Sequence, residues 1–336
     1  MPKLIVIVGI TGVQGGSVAS LFASSPEWTV RGITRNTSSP SAQSWLSKGV
    51  SLVTADLNEP SSLIAAFEGA YAIFSTTNFY EPFFNPGTQS LLKTGQSINQ
   101  YCYEQELRQG KNIVDVAAKT KGLERFVVSA LCDATKWSGG KYVGVYHFDS
   151  KAHTVNYVKN VYPELAAMMS VVQLGSYLSN WQGSLGMRKA EDGSIVLSVL
   201  KGTGTKPRPQ INVPKDLGCI VRAALQAPPG KNILGASFCM SWAAQFKSWC
   251  EMNGLRYGGL YEITLEQFEK FIPVPGLGRE IGEMMLFEGE FGYDGGDASV
   301  ILPGDLSVDC PLTSWEEYVR EENWSKVLGK LRWKLA

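Results

Sequence analysis

Net charge is the first thing this chain does without. Lys and Arg number 31, Asp and Glu number 31, and the formal charge is zero. Without a basic excess there is no global pull toward phosphate backbones or anionic lipid, so neither nucleic acid nor a membrane surface is an expected partner. The chain also lacks any apolar run near the ~20 residues that span a bilayer. The start, MPKLIVIVGITGVQGG, carries too short an apolar stretch for a secretory leader, because the run stops at Val8 and glycines follow. Histidine is scarce, with only His147 and His153. The six cysteines (Cys102, Cys132, Cys219, Cys239, Cys250 and Cys310) are scattered and form no CxxC pair. Neither a metal site nor a disulfide framework is expected from that spacing. Reduced thiols in a soluble, cytoplasmic protein are the plain expectation.

What is present is a strong strand–helix rhythm. The 336 residues are 44% hydrophobic, enough for one large domain or two packed units. Apolar runs at 4–8, 29–34, 50–54, 71–75, 126–129 and 170–174 read as strands. Helical patterns lie between them at 16–23, 42–48 and 60–67, and at 91–120 as one long helix or two shorter ones. Strict alternation predicts an α/β fold, a doubly wound parallel sheet with right-handed crossovers and helices on both faces. After residue 174 the rhythm fails. Glycine and proline crowd KGTGTKPRPQ (201–210) and FIPVPGLGRE (271–280). One more helix is expected at 213–227, returning to the first unit. The rest reads as irregular loops and short helices, with Trp242, Trp249, Trp315, Trp324 and Trp333 as packing residues. The expected division is a cofactor-binding domain at 1–175 and a smaller mixed C-terminal domain at 176–336. No internal repeat is found.

The densest chemical signal is Gly9-Ile-Thr11-Gly12-Val-Gln14-Gly15, directly after the first strand and opening a helix. Gly9 permits the tight turn, Gly12 lets backbone amides approach a pyrophosphate, and Gly15 lets the helix pack on the sheet. The helix N-terminus offers unpaired N–H groups to phosphates. The pattern therefore predicts a dinucleotide site, with a purely structural turn as the bland alternative. The second strand ends in Thr34-Arg35-Asn36-Thr37, with no carboxylate to hold a ribose 2′-hydroxyl. Arg35 suits a 2′-phosphate, which selects NADP(H) over NAD; the alternative is a solvated arginine. Asp56 and Leu57 follow the third strand, where side chains meet adenine, although Asp56 also suits a helix cap. Thr76, Thr77 and Asn78 end the fourth strand, Ser129 the fifth, and Gly175, Ser176 and Tyr177 the sixth, where this fold keeps its ligands. The stretch NFYEPFFNPG (78–87) brings Phe79, Tyr80, Phe83 and Phe84 beside the cofactor. They suit an aromatic substrate pocket or lid, or packing against the C-terminal domain.

GITGVQGG, ITRNTSS, VTADLNEP, IFSTTNF, RFVVSAL and HFDSK, in that order from Lys3 to Lys151, resemble the NmrA-like family of atypical short-chain dehydrogenase/reductases. The likeness continues more loosely through VVQLGSYLSNW, VPKDLGCIV and FEGEFGYDGG. The resemblance implies an extended Rossmann fold, a smaller C-terminal domain, a cleft between them and NADP(H) as cofactor. It leaves activity open, because the family holds NADPH-sensing regulators that act through protein partners, and related reductases act on aromatic and quinone substrates.

Typical short-chain dehydrogenases use a Tyr-xxx-Lys pair. Here the lysine position holds Lys151, but His147 stands four residues before it, and Tyr146 is one position off, turned by roughly 100° on a helix. His147 and Lys151 share a helix face, and histidine can transfer protons near neutral pH. A cation beside His147 would favour its neutral form. The alternative is that His147 packs against the sheet while Lys151 holds the cofactor ribose. Ser129 stands where those relatives keep a catalytic serine. His153 is expected on the surface. Three functions follow: an NADPH-dependent reductase of a conjugated or aromatic small molecule, a non-enzymatic NADP(H) sensor, or a redox-neutral dehydratase or cyclase. Lys151 and the aromatic loop favour the first, while the missing tyrosine favours the second or third; the edge goes to the enzyme. The oligomeric state is not legible.

Overall fold

The computed structural model describes residues 2–183 and 186–333. Eight parallel strands form the central sheet: β1 Lys3–Val8, β2 Trp28–Thr34, β3 Ser51–Thr54, β4 Ala72–Ser75, β5 Arg125–Ala130, β6 Met169–Leu174, β7 Asn232–Gly235 and β8 Val300–Ile301. Their order across the sheet is β8-β7-β6-β5-β4-β1-β2-β3, with every pairing parallel. The order reverses between β1 and β4, the switch point where such sheets open a crevice. The fold is the expected α/β, Rossmann-like sheet.

Sequence dictates this core directly. Successive side chains of β1 point to opposite faces, so Ile5 and Ile7 enter one core while Val6 and Val8 enter the other. All four are at most 1% exposed, and each such burial contributes roughly 1.5–3 kcal/mol. The helices α1 Val13–Ala23, α2 Pro40–Leu46, α3 Pro60–Phe67, α4 Ile98–Ala117 and α5 Tyr146–Val161 cover the two faces. The stretch expected as one or two helices is one, because Ser97 and Gln100 close a capping box and set the start at Ile98. Helix α6, Val213–Gln226, packs on α1. Gly218 makes that approach close: its N–H donates to Ser17 Oγ at 3.1 Å, and a Cβ there would stand 2.7 Å from the Ser17 carbonyl oxygen.

The region after 174 is more ordered than expected. Strands Met187–Lys189, Ile195–Leu200 and Tyr257–Ile263 form one small sheet, and Ser176–Tyr177, Arg208–Ile211 and Phe238–Met240 form another. These strands are two to seven residues long and interrupted by glycine and proline, too brief for a period to show in sequence. Trp249, Trp315 and Trp324 fill a separate core there, with the half-buried Trp242 packed against it; the side chain of Trp333 lies outside the described residues. We propose that the cofactor unit comprises 1–175 and 213–227 together with β7 and β8. Helix α7, Leu277–Phe291, brings Leu277, Ile281 and Met284 to the crevice.

Candidate active site

A cleft of about 770 Å³ crosses the carboxyl ends of β1, β2, β4, β5 and β6. It gathers almost every residue singled out in the sequence: Gly9, Thr11, Gly12, Gln14 and Gly15 from the first turn, Arg35 from β2, and Asp56 and Leu57 after β3. Thr76, Thr77, Asn78, Phe79 and Tyr80 come from β4 and its loop, Ser129 from β5, His147 and Lys151 from α5, and Gly175, Ser176 and Tyr177 after β6. Phe83 is the exception. It packs behind Phe79 and Tyr80, with ring centroids 5.8 and 6.5 Å away, because the 3-10 turn at Glu81–Phe84 carries Phe84 to the cleft instead.

The first turn is built for an anion. Gly9 has φ +72°, a left-handed conformation that glycine adopts without strain. A Cβ on Gly15 would stand 2.3 Å from the Gly9 carbonyl oxygen, so no larger residue fits beneath the turn. Gly12 caps α1 without a side-chain hydrogen bond, and no acidic residue occupies the first turn. The amides there and the positive end of the helix dipole therefore face the cleft. Gln14 Nε2 donates to the Tyr177 hydroxyl at 2.7 Å, while its buried Oε1 has no partner. An orphaned acceptor beside an uncapped helix end fits a site made to hold a dinucleotide.

At the end of the cleft beside β2 and β3, Arg35 carries an acid the sequence did not reveal. Its Nη1 lies 2.5 Å from Glu81 Oε1, with 64% and 42% of the two side chains exposed. The acid arrives from the loop after β4 rather than from β2. Asp56 is not a helix cap: its Oδ1 accepts from Asn58 N and Nδ2 at 2.8 and 2.9 Å, and Glu59 caps α3 without a side-chain bond. Asn112 Nδ2 holds the Leu57 carbonyl at 2.7 Å, fixing this loop to α4.

The other end holds two basic side chains, each on its own buried carboxylate. Lys151 Nζ meets Glu106 Oε1 at 2.5 Å. Glu106 is 2% exposed and also accepts from Thr77 Oγ1 at 2.7 Å and Ser150 Oγ at 2.5 Å. His147 Nδ1 lies 2.7 Å from Glu280 Oε1 of α7. The group touching the His147 ring is thus a carboxylate, and Lys151 is paired with Glu106. Phe79 and Tyr80 flank the imidazole at 5.7 and 5.5 Å between centroids. Burial, then Glu280 and Glu106, push the Tyr80 phenol well above the ordinary tyrosine value, so it stays a protonated donor. Tyr146 turns away to pack on Tyr103 at 6.0 Å. His153 is part-exposed, bonded to the Tyr103 hydroxyl at 2.7 Å and 3.3 Å from Asp133. Ser129 is 4% exposed on the cleft floor.

Sequence reasoning missed Glu106, Glu280 and an apolar wall of Leu277, Ile281 and Met284 on α7. Glu106 had a readable signal, an acid in the buried stripe Cys102, Glu106, Gly110, Ile113 and Ala117 of α4. The α7 residues had little, because their helix begins within the Pro/Gly-rich segment. Among the described residues no helix is long and apolar enough to cross a membrane.

The family model for the NmrA-like family matches residues 1–324. The NmrA-like family domain-containing oxidoreductase cpsB of Aspergillus campestris is 30% identical over 232 residues, 67% of this chain and 64% of that protein. The match thus spans just under two thirds of that relative's length. The malD oxidoreductase of the same description, from Malbranchea aurantiaca, is 27% identical over 263 residues, 75% of this chain and 73% of that one. Among solved structures, NmrA, a negative transcriptional regulator, in complex with NADP superposes with a TM-score of 0.71, 19% identity and 99% coverage of both chains. The NADPH-dependent quinone oxidoreductase of Escherichia coli complexed with NADPH gives 0.67, 17%, and 94% and 99%. With the sequence motifs, the sheet order and the first-turn geometry in agreement, this chain belongs to the NmrA-like family.

Proposed function

We propose that this protein is an NADPH-dependent reductase of a conjugated or aromatic small molecule, an atypical short-chain dehydrogenase/reductase of the cytoplasm. The carrying observation is that His147 and Lys151, one helical turn apart, line the same cleft, each held by a buried carboxylate, opposite an apolar wall. The names of the relatives and the quinone oxidoreductase neighbour support the reading. Six thiols without a disulfide suit a reducing compartment.

NADPH, when bound, supplies the hydride. The amides after Gly12 would hold the pyrophosphate, and Arg35, now paired with Glu81, would hold the 2′-phosphate. Lys151, steadied by Glu106, would hold the nicotinamide ribose. Tyr177 and Gln14 close one side of the cleft. His147 delivers a proton to the acceptor oxygen as negative charge builds there, and Ser129 steadies that oxygen by hydrogen bonding. Phe79 and Tyr80, with Leu277, Ile281 and Met284, stack on the flat substrate and exclude water.

A second reading, NADP(H) sensing through a protein partner, is favoured by the histidine at the usual tyrosine position and by the likeness to a transcriptional regulator. NADPH consumption with quinones, enones and aromatic carbonyls separates the two. The reductase reading expects Lys151→Ala to weaken binding and turnover together. It expects His147→Phe to keep NADPH affinity and lose ~10²–10⁴-fold in rate. Tight NADPH binding without turnover of any of these compounds would move the assignment to sensing or to redox-neutral chemistry.

A further inference from the structure

Glu280 is 0% exposed. Its Oε1 accepts two hydrogen bonds from one residue, the backbone N–H of His147 at 2.8 Å and the ring Nδ1 at 2.7 Å. Its Oε2 accepts from Asn99 Nδ2 at 2.8 Å, and Asn99 Nδ2 also donates to the Gly276 carbonyl just before α7, at 3.1 Å. Among the described residues, His147 is the only basic side chain within ion-pair distance of this carboxylate. A buried carboxylate is costly unless donors surround it. All three donors come from α4 and α5, whereas Glu280 itself belongs to α7.

We propose that Glu280 is the positioning residue for His147: it binds Nδ1–H, fixes the tautomer, and leaves Nε2 as the nitrogen that serves the cleft. The role of Nε2 as proton donor rests on the reductase reading and requires the ring to enter that step as imidazolium, giving up Nε2–H while Nδ1–H stays on Glu280; the bond from Nδ1–H to Glu280 does not rest on it. The backbone contact anchors the start of α5, and the ring contact sets the imidazole plane. A carboxylate that accepts both bonds through one oxygen controls position and orientation together. Glu280 shares α7 with Leu277, Ile281 and Met284, which line the cleft. One helix therefore presents the apolar wall to the substrate and holds the proton donor in register with it. The C-terminal unit supplies a group without which the site on the sheet is incomplete.

The chain has only two histidines, so a protein labelled with ¹⁵N-histidine gives two imidazole patterns, and a His153→Gln variant assigns them. Long-range ¹H–¹⁵N correlation then reads which nitrogen of His147 carries the proton, with no substrate present. We expect Nδ1 protonated in the unaltered protein and in Glu280→Gln, which keeps an acceptor oxygen. In Glu280→Leu the acceptor is gone, and the neutral ring should shift to Nε2–H. NADPH affinity in each variant should stay within about twofold, which reports an intact fold. Turnover in Glu280→Leu should fall about 10- to 100-fold, the usual cost of losing an orienting partner, and recover in Glu280→Gln. A neutral ring protonated on Nε2 alone in the unaltered protein, or a neutral ring still protonated on Nδ1 in Glu280→Leu, overturns the proposal whatever the turnover. Absent turnover with an Nδ1–H ring that follows Glu280 sinks the reductase reading and leaves the positioning role intact.

Discussion

Removing Arg35 should erase most of the preference for NADPH over NADH, and the ion pair with Glu81 sets how large that preference is. A hydrogen bond to a charged group contributes about 1.5–3 kcal/mol. Arg35 is already engaged, however, and an exposed pair of this kind is worth about 0.2–1 kcal/mol. The 2′-phosphate must displace Glu81 or share Arg35 with it, so the net selectivity is about 0.5–2.8 kcal/mol. That is a preference of about 2- to 100-fold at 1.4 kcal/mol per tenfold. Arg35→Ala should bring the two dissociation constants together by weakening NADPH alone. Glu81→Gln should do the opposite and tighten NADPH by about fivefold at most, while NADH stays unchanged. In the double variant the Glu81 effect should vanish, because the two residues act through one contact. Both effects should shrink with added salt, since 64% and 42% of these side chains are exposed. Fluorescence titration with each dinucleotide reads all of this. Equal affinities in the unaltered protein, or a Glu81→Gln effect of the same size on NADH, would refute the reasoning.

Four shorter expectations follow from the same structure. Gly12→Val should block the pyrophosphate and abolish NADPH affinity with little change in melting temperature. Gly15→Ala should lower both, because its Cβ meets the Gly9 carbonyl at 2.3 Å and overpacking costs about 1–3 kcal/mol; full NADPH affinity in Gly12→Val would make the motif a structural turn. Met284→Ala should raise KM for the substrate and leave NADPH affinity alone, and a weakened NADPH affinity would place Met284 against the cofactor instead. Titration of the native protein with Ellman's reagent should show one fast thiol, since Cys239 is exposed while Cys102, Cys132, Cys219 and Cys250 are buried. Burial pushes Cys102 and Cys250 up to about 12, so they should react only on unfolding, and three or more fast thiols would contradict the packing.

The sheet from β1 to β6 was legible because each strand is a run of apolar residues covered on both faces, and each helix between them has its own period. The first turn was legible because Gly9 and Gly15 are needed by backbone geometry alone. What escaped was whatever depends on partners distant in sequence. Strands β7 and β8 are four and two residues long, and their place comes from pairing with β6 and with each other. Arg35 looked free because Glu81 is brought to it by the turn after β4, 46 residues on. Phe83 and Phe84 differ by one position, and only the 3-10 turn decides which reaches the cleft. His147 and Lys151 were found together from their spacing. Their carboxylates were not, because Glu106 and Glu280 sit on other helices, 45 and 133 residues away.

The central claim is that NADPH lies in this cleft with its reactive ring turned toward an apolar chamber. A crystal structure with NADP⁺ tests it most directly. The account predicts the 2′-phosphate on Arg35, the pyrophosphate on the amides after Gly12, the nicotinamide ribose on Lys151, and nicotinamide C4 facing open space between His147, Tyr80 and Met284. A nicotinamide whose C4 is covered by protein, with no room for a flat substrate beside His147, would contradict it.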